Sequence, residues 1–375
     1  MKFIINRNTL DQALGVISRG VSQKTPMPSL TGVFIKAYNQ MLTLISTNKE
    51  ISIQLNLPEN DTLSIIEEGT CVVPGKLFSD IVKKIDDGKI EFSIFDEKTA
   101  KIISKNSNFT LTTYETFTFP NLNFDIEGPS IQLTCKELRK ITAQTTFACG
   151  TTESRIILTS LDWSINQEGL TITATDSFRL SRKICKEITT ENPIQADIPS
   201  KSLEEFCKII LDTNDLVTIT FANNVALFSI NNISFITRLI EGTYPNTSAL
   251  FCREKNLEVK FNRQELMQAV DRASLFVTGT SLNFVKLTFT TTSNDVVLAS
   301  KSTESGRVEV TLSPISVTPA TDIVVAFSSK NLMDALKAFE GDVVTIVFTN
   351  EVKPAVITCD GDDSLIQILF LPRAI

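Results

Sequence analysis

The sequence repeats itself at a constant spacing of 128 residues, and this feature constrains the fold more than any other. Apolar residues recur in four columns across three segments: Phe3, Ile131 and Val259; Ile5, Leu133 and Phe261; Leu10, Leu138 and Leu266; Ala13, Ile141 and Ala269. The first two columns alternate with the period of a strand, and the others follow the spacing of a helix face. Each segment therefore predicts a strand that runs directly into a helix, and the chain predicts three copies of one domain.

Each repeat contains a second unit of the same kind. These units are CVVPGKLFSDIVKKI, QADIPSKSLEEFCKIIL and VVAFSSKNLMDALKAF, and short alternating strands follow every helix. The turn-rich joins at 121–130 and 246–256 mark the ends of the repeats. We predict an α+β fold with antiparallel sheets, in which each domain is strand–helix–strands twice over. The predicted domains are 1–124, 125–250 and 251–375.

The composition excludes several kinds of catalytic and metal site. The chain has 375 residues and no histidine, which excludes Ser-His and Cys-His nucleophiles and histidine metal sites. Phosphate-binding glycine motifs are also missing. The seven cysteines are scattered and never spaced as C-x-x-C, which favours reduced thiols in a cytosol. Because these motifs are missing, we expect a protein that is not an enzyme and holds no metal. No apolar run approaches the roughly 18 residues that span a bilayer, and the start does not fit a signal peptide, so we expect a cytoplasmic protein.

Charge is distributed unevenly along the chain. The formal net charge of −7 taken alone argues against a nucleic-acid partner. The predicted helices hold 13 basic and 9 acidic residues, whereas the rest of the chain holds 23 and 34, so the helices sum to +4 and the rest to −11. A surface that is basic on one side suits a protein that surrounds DNA and contacts phosphates without reading the sequence. The helix windows are 8–19, 76–86, 136–147, 201–211, 262–273 and 329–339.

Three lysines recur at the matching place in the second helix of each repeat. Lys76, Lys201 and Lys330 all fall in the first helical turn. A cation there opposes the helix dipole, at a cost of up to about 1 kcal/mol. Recurrence of an unfavourable choice indicates a phosphate-facing role. The alternative is that these are solvated lysines inherited through duplication.

Several stretches resemble the bacterial DNA sliding clamp family, the beta subunit of the replicative DNA polymerase III holoenzyme. They are MKFIINRNTL at the start, TPMPSLTGVFI at 25–35, FPNL at 119–122, TDSFRL at 175–180, EGTYPN at 241–246 and the LPRAI ending. The resemblance runs through the whole chain in the family's order. It implies a head-to-tail homodimeric ring, with helices lining the hole, sheets outside and no cofactor. It also implies a processivity factor that encircles double-stranded DNA, slides without sequence preference, is loaded by an ATP-driven clamp loader, and tethers the replicative polymerase.

The resemblance also implies a pocket for short peptides of partner proteins between the second and third domains. Carried over segment by segment, it comprises Leu158, Thr175, Ser177, Arg179, Leu180, Pro245, Leu250, Val352, Pro354, Leu371 and Pro372. Apolar walls with a few polar groups suit an extended peptide with Leu or Phe anchors, and Arg179 would hold polar groups of that peptide. Without the family, Leu158, Leu180 and Val352 are more simply explained as ordinary core residues.

The chain departs from the family's pattern at the rim of this pocket. The family usually has His or Tyr where this chain has Phe178, and often Asp and Tyr where this chain has Asn246 and Thr247. Arg373 stands one residue earlier than the family's usual arginine. We therefore expect a pocket rim that differs from the family's and assign no role to Arg373.

By the same matching, Phe109 and Leu111 of one protomer would face Leu275 and Phe276 of the other. In isolation, the first pair resembles a sheet-edge strand with an apolar face, which needs a partner. The alternative is that both pairs are buried within their own domains. The candidate DNA-facing residues are Lys24, Lys76, Lys83, Lys84, Arg139, Lys140, Arg155, Lys201 and Lys330. Any single one of them is also explained as a solvated side chain.

Two rival interpretations remain open. A non-catalytic scaffold of three domains that binds proteins or ligands without DNA would explain the repeats and the net charge of −7. It would not explain basic helices beside acidic strands. An enzyme that uses carboxylates or a cysteine is the second rival, and no recognisable motif in the sequence supports it.

Overall fold

The computed structural model describes residues 1–96, 98–251, 256–275, 284–290, 295–302, 306–318 and 322–370. Phe276, Leu371 and Pro372 lie outside these residues. The elements of the first third are β1 (Lys2–Asn6), α1 (Arg7–Ile17), β2 (Gly32–Tyr38), β3 (Met41–Thr47), β4 (Ile51–Pro58), β5 (Leu63–Glu67), β6 (Gly69–Pro74), α2 (Gly75–Lys84), β7 (Lys89–Phe95), β8 (Thr99–Ile103) and β9 (Asn108–Thr112).

The last third repeats this order, and the middle third repeats it with one strand fewer between its two helices. The middle third contains β10 (Ser130–Thr134), α3 (Cys135–Thr145), β11 (Ser160–Asn166), β12 (Gly169–Thr175), β13 (Arg179–Cys185), β14 (Ile194–Pro199), α4 (Ser200–Ile209), β15 (Leu216–Ala222), β16 (Val225–Ile230) and β17 (Ile233–Arg238). The last third contains β18 (Leu257–Asn262), α5 (Arg263–Ser274), β19 (Phe284–Phe289), β20 (Val296–Ser302), β21 (Gly306–Leu312), β22 (Ser316–Thr318), β23 (Ile323–Ser328), α6 (Ser329–Ala338), β24 (Val343–Phe348), β25 (Ala355–Cys359) and β26 (Leu365–Leu369).

The repeated columns form the core, as the 128-residue spacing predicted. All twelve of their residues are buried, with at most 5% of any of them exposed. Asn6 and Asn262 occupy matching N-cap positions, where their side chains accept from the backbone N–H groups of Asn8 and Glu265. The six predicted helices are confirmed, with ends that differ from the prediction by two residues or fewer.

The chain divides into two compact units, which do not coincide with the three repeats. The first unit is Met1–Lys136 with Lys201–Leu239. It holds a five-stranded sheet in the order β5-β1-β7-β8-β9 and an eight-stranded sheet in the order β10-β15-β16-β17-β4-β3-β2-β6. Strands β17 and β4 pair antiparallel, so the eight-stranded sheet combines strands of the first and second thirds.

The second unit is Glu137–Ser200 with Ile240–Ile375. It holds a nine-stranded sheet in the order β14-β11-β12-β13-β26-β25-β24-β18-β22 and a four-stranded sheet in the order β21-β20-β19-β23. Antiparallel pairing of β13 with β26 joins the second third to the last. This pairing matters for the candidate site, since it brings TDSFRL beside the C-terminal strand. The α+β fold with antiparallel sheets is confirmed.

Among the described residues, no helix is both long and apolar enough to cross a membrane.

Candidate functional site

The centre of the candidate site is the turn between β12 and β13. The carboxylate of Asp176 accepts hydrogen bonds from the backbone N–H groups of Phe178 and Arg179 at 2.8 and 2.9 Å. Ser177 has a φ of +76°, a left-handed conformation that this double cap holds in place. The Thr175 hydroxyl closes the turn by donating to the carbonyl of Arg179 at 2.6 Å. The fixed turn projects Phe178 into solvent, with 69% of the residue exposed.

Arg179 is buried and ion-paired, which changes the role expected for it. Its Nε donates to Asp176 at 3.0 Å and its Nη1 donates to Asp334 of α6 at 2.7 Å. Its guanidinium also lies 5.4 Å from the centre of the Phe147 ring. Although burial acts to raise the pKa of Asp334, hydrogen bonds from Arg179 and Lys330 hold that pKa below its ordinary value. Arg179 therefore fastens the turn to α6.

The segment 240–251 lies against the nine-stranded sheet beside this turn. The Tyr244 hydroxyl accepts from the backbone N–H of Thr175 at 3.0 Å. Arg182 donates from Nη2 to the hydroxyl of Thr247 at 2.6 Å, and its guanidinium lies 3.8 Å from the centre of the Phe251 ring. Thr247 thus supplies a hydroxyl acceptor at a position where the family often has Tyr. These contacts place Pro245, which is exposed, next to the turn.

Strand pairing brings the ends of β13, β26 and β25 together. Leu369 pairs with Arg179 on one side and with Ala355 on the other. The backbone N–H of Phe370 then donates to the carbonyl of Phe178 at 3.0 Å. Pro354 directly precedes Ala355, so the loop that contains Pro354 ends at the same edge. The chain enters residues 371–375 from this point.

Nine of the eleven proposed pocket residues are described, and they fall into two groups. Leu180 and Leu158 are 0% and 5% exposed, and Thr175 and Arg179 are also buried. The remaining five are exposed or partly buried: Ser177, Pro245, Leu250, Val352 and Pro354. Leu371 and Pro372 lie outside the described residues. Sequence reasoning missed Tyr244, Arg182 and Asp334, although Tyr244 lies in the quoted EGTYPN segment.

The recurring lysines occupy equivalent positions in three helices. Lys76, Lys201 and Lys330 are each the second residue of their helix, and all three are exposed. The Lys330 ammonium lies 3.1 Å from the carboxylate of Asp334. Since Lys330 is 73% exposed, this ion pair is weak and does not stop the lysine from contacting an anion.

The other basic candidates differ in their surroundings. Lys83 and Lys84 are exposed at the end of α2, and Lys24 and Arg155 are exposed outside the α-helices. Arg139 and Lys140 of α3 are partly buried, and Lys140 forms an ion pair of 2.7 Å with Glu340. The structure thus leaves most of these side chains accessible to solvent.

The predicted interface residues are only partly placed as expected. Strand β9 is an edge of the five-stranded sheet, and its pairing partner is β8. Phe109 is partly buried, but Leu111 is 4% exposed and packs within its own unit. Leu275 follows α5 and is 68% exposed, while Phe276 lies outside the described residues.

Comparison with known proteins assigns the chain to a family. Residues 1–123 match the N-terminal domain of the DNA polymerase III beta subunit, residues 132–246 its central domain, and residues 248–373 its C-terminal domain. The three models together cover nearly the whole chain in order. The chain belongs to the DNA polymerase III beta subunit family.

Relatives within the beta subunit family are similar along their full length. The beta sliding clamp of Staphylococcus aureus is 36% identical over 375 residues, which is 98% of each chain. Among solved structures, the DNA polymerase sliding clamp of Bacillus subtilis is 31% identical with a TM-score of 0.95, and the alignment covers 100% of both chains. The DNA polymerase III beta chain of Streptococcus pneumoniae is 33% identical with the same TM-score and coverage. Three tandem clamp domains are therefore the architecture of this chain.

The described residues contain no group of three or more Cys, Asp or Glu side chains arranged to hold a metal ion.

Proposed function

We propose that the protein is a ring-shaped processivity factor. Two protomers encircle duplex DNA, slide along it, and tether the replicative polymerase and other DNA-processing proteins. The observation that carries this proposal is the match of all three consecutive beta subunit domains along one chain, with relatives that are named sliding clamps. No observation favours a scaffold that does not bind DNA.

The basic helices support the DNA-binding part of the proposal. Exposed lysines at the second position of α2, α4 and α6 present ammonium groups in a repeating pattern. Such groups attract phosphates without reading base edges, and each neutralised phosphate adds to the salt dependence of binding. The DNA-facing set that we propose remains Lys24, Lys76, Lys83, Lys84, Arg139, Lys140, Arg155, Lys201 and Lys330.

The turn between β12 and β13 supports the partner-binding part. The buried Leu180, the exposed Phe178 and the nearby Pro245 suit an extended peptide with apolar anchors. We propose that Leu371 and Pro372, which follow β26 in sequence, belong to this pocket. The ion pairs of Arg179 hold the turn in the shape that a peptide would meet.

The remaining features of the proposal follow the family. We propose clamp domains at 1–124, 125–250 and 251–375, and a head-to-tail dimer in which β9 of one protomer meets the Leu275 segment of the other. A head-to-tail contact made twice closes a ring. The proposed protein is not an enzyme, depends on a clamp loader to reach DNA, and works in the cytoplasm.

The dimer is tested by changing Leu275 to Asp. Placing a charge in an apolar interface costs several kcal/mol when the charge is left unpaired, so the variant should sediment as a monomer where the native protein is a dimer. The matched control is Leu216→Asp, which alters a leucine that is 55% exposed on β15. The monomeric variant should also lose the ability to lengthen the products of primer extension by the replicative polymerase. Equal masses and equal product lengths for native protein and variant would refute the assignment of Leu275 to the interface, and a native protein that sediments as a monomer would refute the dimer.

A further inference from the structure

The first and second repeats differ at one equivalent position. The first repeat has an open cleft there, whereas a side chain fills the same space in the second repeat. Strands β2, β3 and β4 begin 128 residues before β11, β12 and β13, and the cross-strand registers coincide. One row across β2, β3 and β4 consists of Phe34, Ile45 and Gln54. The equivalent row across β11, β12 and β13 consists of Asp162, Thr173 and Arg182. The segments beside the rows match too, since Phe-Pro-Asn at 119–121 corresponds to Tyr-Pro-Asn at 244–246.

In the second repeat, Arg182 fills the space between its row and the neighbouring segment. Its Nε donates to the Thr173 hydroxyl at 3.2 Å and its Nη2 donates to the Thr247 hydroxyl at 2.6 Å. The guanidinium plane rests on the Phe251 ring. One long side chain thus closes this position with hydrogen bonds and a ring contact.

In the first repeat, the residues at the same places cannot close the space. Gln54 stands in place of Arg182 and is shorter, and Leu122 stands in place of Thr247 and offers no hydroxyl acceptor. A cavity of about 470 Å³ remains, within the size range of ligand sites. Phe34 and Phe119 form its apolar wall, with ring centres 5.3 Å apart.

The charge in this cleft is a single lysine. Lys36 lines the cavity and is exposed, and none of the lining residues is acidic. Of the residues that the structure describes, no carboxylate lies within ion-pair distance of its ammonium, which instead lies 5.6 Å from the Tyr38 ring. Apolar walls beside one uncompensated cation complement a ligand that has an apolar group next to a carboxylate.

We propose that this cleft binds a peptide segment of a partner protein, in which an aromatic side chain is followed by an acidic residue. The aromatic ring packs between Phe34, Phe119 and Leu122, and the carboxylate accepts from Lys36. This site differs from the pocket proposed at the turn between β12 and β13, which lies in the other compact unit. The proposal needs neither the ring nor DNA.

Binding is measured by fluorine NMR on the full-length protein. The probe is acetyl-Ala-(4-fluoro-Phe)-Asp-Ala-amide, and the comparison peptide has Asn in place of Asp. We expect the probe to bind, and the Asn peptide to bind about tenfold more weakly, because a charge-assisted hydrogen bond is lost. Lys36→Glu should weaken the probe by more than this factor, whereas Lys36→Arg should preserve binding.

A second pair of variants locates the site. Gln54→Arg with Leu122→Thr supplies the arginine and one of its two hydroxyl acceptors, so that the long side chain occupies the cleft. This closed variant should abolish probe binding without lowering the melting temperature. Deleting residues 371–375 should leave probe binding unchanged, because that deletion alters the other pocket. Absence of probe binding, equal binding to the closed variant, or loss of binding in the deletion variant would each overturn the proposal. None of these results bears on whether the protein encircles DNA.

Discussion

A buried ion pair joins β13 of the nine-stranded sheet to the turn between β25 and β26, and breaking it gives a quantitative prediction. The Lys183 ammonium of β13 lies 3.1 Å from the Asp362 carboxylate, and the two side chains are 7% and 9% exposed. Asp362 also accepts from the Ser364 hydroxyl at 2.8 Å and from the Gln144 amide at 3.1 Å. Lys183→Met keeps the apolar stem and removes the ammonium, together with the hydrogen bond of 2.6 Å that it donates to the Ser364 hydroxyl.

The cost follows from what the change leaves behind. Removing one partner of a buried ion pair typically costs about 3–5 kcal/mol, because the other charge stays buried without compensation. Two neutral donors still reach Asp362, and each contributes about 1 kcal/mol, so we place the loss near the lower end, at about 3 kcal/mol. Changing Asp362 to Asn in the same protein removes the stranded charge and keeps a hydrogen-bonding amide. That double variant should recover more than half of the loss.

The loss should also depend on pH. Burial acts to raise the pKa of Asp362, but hydrogen bonds from Ser364 and Lys183 outweigh it and hold that pKa below its ordinary value. A carboxyl group with a lowered pKa contributes stability above its unfolded pKa of about 3.9, and this contribution disappears as the pH falls. Without Lys183 the pKa should rise, so mild acid should neutralise the stranded carboxylate. The difference between variant and native protein should therefore shrink from about pH 8 to about pH 5.

Urea unfolding followed by tryptophan fluorescence measures this effect. The chain has one tryptophan, and Trp163 is fully buried in β11 of the same sheet. Its signal therefore reports the unfolding of the second compact unit. A loss below about 1 kcal/mol at neutral pH, the size of an exposed ion pair, would refute the reasoning. A double variant that is less stable than Lys183→Met would refute it as well.

Two further predictions concern charge. Burial, followed by the neighbouring Asp162, raises the pKa of Asp197 to about 7. Between about pH 4 and about pH 7 the folded state therefore keeps a proton that the unfolded state has lost, so the free energy of unfolding should fall as the pH rises through this range. Asp197→Asn should remove this fall in the same urea assay, and an unchanged pH slope would contradict the assignment. Lys201→Glu should shorten the lifetime of the protein on circular DNA and leave its mass unchanged, whereas Lys186→Glu, the same charge change in an exposed loop, should have little effect. Equal lifetimes for both variants would remove Lys201 from the DNA-facing set.

The elements of this fold were predictable because their signals are local. Alternation in a strand and the i, i+3, i+4 pattern in a helix involve neighbours in sequence, so the periodicity alone assigns Leu10, Leu138 and Leu266 to the buried faces of helices. Because the pattern occurs in three segments 128 residues apart, each of these strands and helices was predicted three times. The end of a helix depends on caps and on packing, which explains the shifts of up to two residues.

The details of the candidate site were not predictable from local patterns. Arg179 was expected to face a ligand, but it pairs with Asp334, which lies 155 residues away in sequence. Nothing in the periodicity of either segment encodes that contact. Likewise, apolar alternation in β9 does not say whether Leu111 faces a partner or its own core, and it is buried in its own unit. The TDSFRL segment indicated the candidate site because it matched a family motif as a whole.

The most direct test of the proposed ring compares retention on circular and linear DNA. Labelled protein is loaded by the clamp loader onto a nicked circular duplex, free protein is removed, and half of the sample is cut once with a restriction enzyme. A protein that encircles DNA and grips it weakly should stay on the circle and slide off the cut molecule. Equal retention on both, with loss governed only by salt, would mean that the protein binds DNA by surface contact and does not surround it.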